Sequence, residues 1–442
     1  MKKFLALLVV LGLAIAAAQD VDVLDPSGQE IVFWHQHTNE RVDALDQIVA
    51  EFNATNPWGI TVTHEYQGGY GDIFQKMLPI LGTSSAPNLV VAYQNQAATY
   101  AIGDGMVDLT PYVNSAEYGL TDGEKADFFP GFYSADVFPS FDSQRFGFPP
   151  NRSMEVMYYN AGWLAELAAA GAISFDGPPT TPEQFREAAC AAVETPFSKA
   201  TGGRSLGYQL STDASRFASW TFAFGGNVYD YDADRYTYDA PAAVEAMSFL
   251  QGLFDDGCAD FVVERYGDQT DFGAGNLLFT VGSSSGLPFY QSAVDEGAAF
   301  AWSVAPIPHV TDEPVMNIYG ASVSVPTGHS DEANLAAWLF LKHYTSPESQ
   351  ALWATSSNYF PVRQSVATEM SDYFAANEAY GTAFDLLPYG QAEPPVPGYD
   401  FVRDMIEAEM AAIMDGADVE ETLALATGEA NLILDDQLSA MQ

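Results

Sequence analysis

Cysteine and positive charge are what this 442-residue chain has least of. Its two cysteines, Cys190 and Cys258, exclude a dense disulfide framework. Neither has a histidine or a further cysteine at ligand spacing, so a thiolate metal site is not expected. Sixteen Lys and Arg stand against 59 Asp and Glu, a net charge of −43. Such a surface repels nucleic-acid phosphates, which removes DNA and RNA as partners. The six histidines show no His-x-x-x-His spacing, and no Walker or dinucleotide-type glycine loop occurs, so neither metal nor cofactor is expected. After residue 18 no apolar run approaches the length of a membrane span, and there is no repeat or low-complexity block.

What is present is a core. Hydrophobic residues make up 48% and aromatics 13%, too much for an acidic disordered chain. The length implies two or more domains. Residues 1–18 read as a signal peptide: Lys2 and Lys3, an apolar run from Phe4 to Ile15, and the small residues Ala16-Ala17-Ala18 at the cleavage site. No cysteine lies near that site, so the expected product is exported, soluble and without a lipid anchor. In an oxidising exterior Cys190, inside the helical pattern Pro182 to Val193, and Cys258, just past the pattern Pro241 to Asp256, are expected to pair.

Strand-like and helix-like periodicities alternate along the chain. Ile31 to Trp34, Ile60 to Tyr66 and Leu89 to Tyr93 read as strands, separated by helical patterns such as Val42-Leu45-Ile48-Val49-Phe52. A second run begins at Met154, with helices over Trp163 to Ala170, Pro182 to Val193 and Pro241 to Asp256, and a long strand over Asn317 to Val325. Alternation of this kind specifies α/β lobes, each a largely parallel sheet covered by helices.

The segment Phe146-Gly147-Phe148-Pro149-Pro150-Asn151-Arg152-Ser153 leads into the strand Met154 to Tyr159, and Asn160 is placed to cap the next helix. A rigid loop that delivers Asn, Arg and Ser at the end of a strand is a common way to build a ligand site. With Phe33-Trp34-His35, Phe52 to Pro57, Tyr66 to Tyr70, Tyr158-Tyr159-Asn160, Ser283-Ser284, Gly320-Ala321-Ser322 and Tyr359-Phe360-Pro361, this segment resembles the extracellular solute-binding proteins of ABC importers. Within that family the similarity is to the glycerol-3-phosphate-binding and sugar-binding branch.

The resemblance implies a two-lobe periplasmic-binding-protein fold with three inter-lobe crossings, near Ser153, Asn317 to Gly320, and Tyr359 to Pro361. It places 19–153 plus 318–360 in an N-terminal lobe and 154–317 plus 361–442 in a C-terminal lobe. It also implies a monomer that captures a carbohydrate-like solute by hinge closure (a sugar, glycerol 3-phosphate or a glycerophosphodiester) and passes it to the transmembrane subunits of a permease. By position, Tyr70, Ser153, Ser283 or Ser284, Gly320 and Tyr359 match ligand contacts. Gln94 departs from an acid, Ser211 from a tryptophan, and Pro394-Pro395 stands where a phosphate-gripping arginine belongs.

From the residues themselves, Trp34, Tyr70, Trp220 and Tyr359 are candidate stacking faces for a sugar ring. Arg152 offers a fork of donors for an anion, and His35 a cleft-facing ring. Gly282-Ser283-Ser284-Ser285-Gly286 also satisfies G-x-S-x-G, so a secreted serine hydrolase with Ser284 as nucleophile is the rival reading.

Overall fold

The computed structural model describes residues 20–441, so the signal peptide expected at 1–18 lies outside the described residues. Two sheets, each covered by helices, organise the chain. The first has the strand order Ser322–Ser324, Leu89–Ala92, Glu30–His35, Thr61–Tyr66, parallel except for the first pairing. The second runs Ala259–Phe261, Leu206–Leu210, Leu277–Ser283, Ser153–Asn160, Met316–Tyr319, Gly390–Ala392, with Trp302–Ala305 also on Ser153–Asn160. Ser153–Asn160 is antiparallel to all three of its partners, so this sheet is mixed rather than mostly parallel. Only Tyr159 in that strand is not buried, as a strand covered on both faces requires.

Local sequence sets the helix starts. Asn160 accepts the Trp163 N–H at 2.9 Å, and Thr181, Ser330, Ser346 and Asp418 cap later helices in the same way. The helix Glu40–Thr55 buries Ala44, Leu45, Ile48, Val49 and Phe52 on one face and carries Glu40 and Asp43 in its first turn, where the helix dipole favours acids. Cys190 and Cys258 form a disulfide, with Cα atoms 4.6 Å apart. Gly207 sits beneath it, because a Cβ there would lie 2.2 Å from the Ala189 carbonyl oxygen and 2.5 Å from that of Cys258.

The expected long strand Asn317 to Val325 is in fact two. Met316–Tyr319 belongs to the second sheet and Ser322–Ser324 to the first, so the chain changes sheet at Gly320-Ala321. Gly320 has φ 152°, and a Cβ on it would stand 3.2 Å from the Arg152 Cα, which is why glycine occupies this position. The Phe360 N–H donates to the Arg152 carbonyl at 2.8 Å. Three passages between the sheets therefore lie side by side.

Under them is a buried polar knot. Arg152 Nη2 reaches Asp136 Oδ2 at 3.3 Å and Ser322 Oγ at 3.1 Å, and Nη1 donates to the Asn151 carbonyl at 2.8 Å. Arg152 and Asp136 side chains are each 2% exposed. Burial pulls the guanidinium pKa down, and the Asp136 carboxylate opposes that pull.

Two stability outcomes follow. Asp136→Asn leaves a buried guanidinium without its counter-charge and should lower the unfolding free energy in chemical denaturation by about 3 kcal/mol, whereas Asp136→Leu combined with Arg152→Met should recover much of it. A single-variant loss below about 1 kcal/mol would show that the pair does not hold the crossings. The disulfide closes a loop of 68 residues. Replacing both cysteines with serine should therefore cost about 2–4 kcal/mol, read as a lower denaturation midpoint that reductant no longer shifts.

Candidate functional site

Where the two sheets face each other, many polar side chains are neither buried nor free: Gln36, Arg41, Tyr70, Tyr93, Gln94, Asp213, Arg216, Ser283, Tyr319, Glu393 and Arg403 are all half-buried. Strand ends and helix starts deliver them. Tyr70 opens the helix Tyr70–Met77, and Tyr93-Gln94 follows the strand Leu89–Ala92. Asp213 caps Ala214–Ala223, and Ser283 ends Leu277–Ser283. Tyr319 ends Met316–Tyr319, just before the second passage.

Tyrosines line one part of this region. The Tyr70 and Tyr93 rings are 4.7 Å apart, and Gln36 Nε2 donates to the Tyr70 hydroxyl at 2.6 Å. Burial pushes the Tyr70 hydroxyl pKa well up, with the neighbouring Tyr359 and Tyr93 adding to it, and burial likewise raises that of Tyr93, so these two phenols are kept as neutral donors. Arg41 covers the Tyr359 ring with its guanidinium carbon 4.7 Å from the centroid. Tyr319 donates to the Glu155 carboxylate from the other sheet's side.

Charges line the rest, and they come in pairs. Glu155, only 1% exposed in its side chain, pairs with Arg216. Arg403 Nη1 meets Glu393 Oε2 at 2.5 Å and Nη2 meets Asp213 Oδ1 at 3.2 Å. Glu393 also accepts from Tyr399, Asn317 and Ser215 at 2.6, 3.0 and 2.5 Å. Burial would raise the Glu393 pKa, but Arg403 and these three donors hold it below the usual value. They keep it ionised, a fixed acceptor at neutral pH.

The residues singled out in the sequence divide. Tyr70, Tyr359, Ser283 and Gln94 gather with this constellation. Ser153 is buried, its hydroxyl turned to the Tyr319 carbonyl at 3.4 Å. Gly320 serves the second passage, with its carbonyl 3.5 Å from Gln94 Nε2. Ser211 is half-buried in the turn after Leu206–Leu210. Gln94 turns its amide nitrogen to Asp136 at 2.9 Å and Ser322 at 3.2 Å, which leaves its carbonyl oxygen as the free end.

Others are corrected. Trp220 is fully buried in the second lobe's core, its indole N–H on the Tyr208 hydroxyl at 3.3 Å, so it offers no stacking face. Trp34 donates to Glu65 at 3.0 Å along the strand pair Glu30–His35 and Thr61–Tyr66. His35 is buried, and both its nitrogens are occupied. Nδ1 accepts the His37 N–H at 3.0 Å, and Nε2 meets His64 Nδ1 at 2.9 Å. Burial, reinforced by His64, pushes its pKa down to about 4. Arg152 is spent on Asp136 rather than held out for an anion.

Ser284 is likewise fully buried, and its hydroxyl accepts the Met154 N–H at 3.1 Å. Two histidines that follow it in the chain and could serve as a base are bonded elsewhere, His309 to Thr311 and His329 to the Ala86 carbonyl. The nucleophile reading does not stand.

The sequence reading missed Arg41, Tyr93, Asp136, Tyr319, and the Glu155–Arg216 and Glu393–Arg403 pairs. One signal was available for Glu155, a lone acid inside the apolar strand Ser153–Asn160, which needs a buried counter-charge. A groove of about 700 Å³ lined by Leu287, Trp302, Asn358 and Tyr380 lies beside the third passage. It shares none of the predicted residues, and its acids Asp295, Glu296 and Glu378 are exposed and solvated.

Residues 47–382 match the model of the bacterial extracellular solute-binding protein family. The chain is 23% identical over 407 residues to the sn-glycerol-3-phosphate-binding periplasmic protein UgpB of Rhizobium meliloti (strain 1021), covering 88% of this chain and 89% of that one. Among solved structures it superimposes on UgpB from Mycobacterium tuberculosis in complex with glycerophosphocholine, with a TM-score of 0.77, 23% identity, and coverage of 93% and 100%. It superimposes also on the GacH receptor of Streptomyces glaucescens, solved unliganded and with acarbose, with a TM-score of 0.76, 19% identity, and coverage of 92% and 99%. No helix among the described residues is long and apolar enough to cross a membrane. The chain belongs to the bacterial extracellular solute-binding protein family, with the two-lobe periplasmic-binding-protein fold, and its role is to bind a solute rather than to transform one.

Proposed function

We propose that this protein is the solute receptor of an ABC importer and that its ligand is an uncharged, hydroxyl-rich molecule of the sugar class, held between the lobes and released to the permease's transmembrane subunits. The proposal includes export by removal of residues 1–18, without a lipid anchor, and a monomeric mature chain. It takes 19–153 plus 318–360 and 154–317 plus 361–442 as the two lobes. Tyr70, Tyr359, Gln94 and Ser283 are its proposed ligand contacts, with Ser153, Gly320 and Ser211 beside them.

The observation that carries the ligand class is the pairing of charge. Arg152, Arg216 and Arg403 each face a carboxylate whose side chain is at most 9% exposed: Asp136, Glu155 and Glu393. A phosphate approaching any of these three would have to displace a buried carboxylate and leave it without a partner, and Arg41, which faces no carboxylate, already donates to the Ser285 and Ser357 carbonyls. A hydroxyl faces no such penalty, because it donates to the fixed carboxylates and accepts from the phenols. Tyrosine rings add apolar faces suited to sugar C–H groups. The related proteins include one named for glycerol 3-phosphate and others solved with glycerophosphocholine or acarbose, so both ligand types occur among them.

A thermal-shift screen of the mature protein with maltose, trehalose, cellobiose, glycerol 3-phosphate and glycerophosphocholine tests this. Stabilisation by a neutral sugar is expected, with none by glycerol 3-phosphate. In calorimetry with that sugar, Tyr70→Ala should weaken binding about tenfold or more, equivalent to about 1.4 kcal/mol. Stabilisation by glycerol 3-phosphate alone would overturn the neutral-ligand reading, and silence from all five would remove the ligand assignment altogether.

A further inference from the structure

Among the contacts that join the lobes directly, protein to protein, two are made by single polar side chains beside the site. The first is made by Arg41, at the start of the helix Glu40–Thr55 on the first sheet's side. Its Nη2 donates at 2.8 Å to the carbonyl of Ser285, in the turn that follows the second-sheet strand Leu277–Ser283. Its Nε donates at 3.2 Å to the carbonyl of Ser357, at the third passage, and its guanidinium lies over the Tyr359 ring at 4.7 Å and the Phe289 ring at 5.6 Å. Most arginines around the site pair with carboxylates, but no carboxylate lies within ion-pair distance of Arg41 among the described residues. Its fork is spread across three segments of chain.

The second contact is made by Asp400. It sits at the start of the helix Tyr399–Met414, which packs on the second lobe through Gln251 Nε2 to the Ile413 carbonyl at 2.7 Å. Asp400 Oδ1 accepts from Asn95 Nδ2 at 3.1 Å and from Gln96 Nε2 at 3.2 Å, both on the first-lobe helix Gln94–Ala101. The Gly398 N–H donates to Thr99 Oγ1 at 3.0 Å, and Phe401 stacks edge-on to Phe74 at 5.9 Å. This contact shares no residue with the first.

We propose that Arg41 and Asp400 are positioning residues for ligand capture, two independent clasps that close the lobes on each other without help from a ligand. Each clasp is formed from a side chain of one lobe and polar groups of the other, so opening the lobes breaks it and closing restores it. A receptor with such clasps spends part of its time closed while empty. A ligand that binds the closed form then has less conformational free energy to supply.

The test needs no ligand, so it stands apart from the sugar assignment, although it rests on the two-lobe binding reading. Small-angle scattering is recorded on the ligand-free mature protein, Arg41→Ala, Asp400→Ala and the double variant. Both side chains are half-buried at the protein surface, and far-UV circular dichroism reports whether each variant is folded. The radius of gyration is expected to rise in each single variant and further in the double variant. A folded double variant with the parent's radius overturns the proposal. Should the double variant fail to fold, the two single variants decide by the same criterion. A double variant that opens, in a protein that binds none of the five solutes, keeps the clasps and removes the sugar reading.

Discussion

A positive charge buried where three backbone segments cross is the constraint that organises this molecule. Arg152 closes the first passage between the sheets, and its carbonyl receives the N–H of Phe360 from the third. Its Cα stands within van der Waals contact of any side chain that might replace Gly320 in the second. A guanidinium there would be expensive without partners, since desolvation disfavours the charged form by several kcal/mol. Asp136, Ser322 and the Asn151 carbonyl supply those partners, drawn from the first lobe, the second passage and the first passage. The polar knot thus ties the crossing segments to one another.

The same logic runs outward from the knot. With 16 basic residues against 59 acidic ones, the chain has few cations to place. It commits several of them beside carboxylates between the lobes, in Arg152–Asp136, Arg216–Glu155 and Arg403–Glu393. Pairs of this kind contribute little to stability compared with apolar packing of the same volume. What they provide is a set of oriented acceptors and donors, among them Glu393, whose pKa Arg403 and its hydroxyl and amide donors hold below the usual value. That is a surface suited to hydroxyls, and it explains how so acidic a protein keeps a defined polar site in its interior. The excess of acid elsewhere is solvated and bears on solubility more than on the fold.

Much of the architecture was legible because periodicity and caps are local properties. The pattern at Pro182 to Val193 became the helix Pro182–Glu194, and Asn160 capped the helix that begins at Ala161. The strand Asn317 to Val325 was misread because β-propensity records extended backbone and is blind to which sheet the backbone joins. The glycine at 320 hinted at the break, as did the crossing that the family resemblance implies at Asn317 to Gly320. Trp220 shows a related limit. An aromatic on a helix looks the same in sequence whether it faces a core or a cleft, and Phe185, Tyr208 and Phe249 decide for the core. Arg152 and Asp136 pair across 16 residues, and Gln94 and Ser322 join them from far along the chain, so no spacing rule could have assembled the knot.

Gln94 ties these threads together. An acid at this position would lie beside Asp136, and two carboxylates so close would compete for Arg152. With glutamine there, the amide N–H groups go to Asp136 and Ser322, and the carbonyl oxygen remains as an acceptor. The position keeps the ability to receive a hydrogen bond from a hydroxyl while giving up a negative charge. The departure at residue 94 is therefore tied to the buried pair beneath it. In this protein the group that fixes the inter-lobe crossing and the group proposed to meet the solute are neighbours in one hydrogen-bond network, both bonded to Asp136.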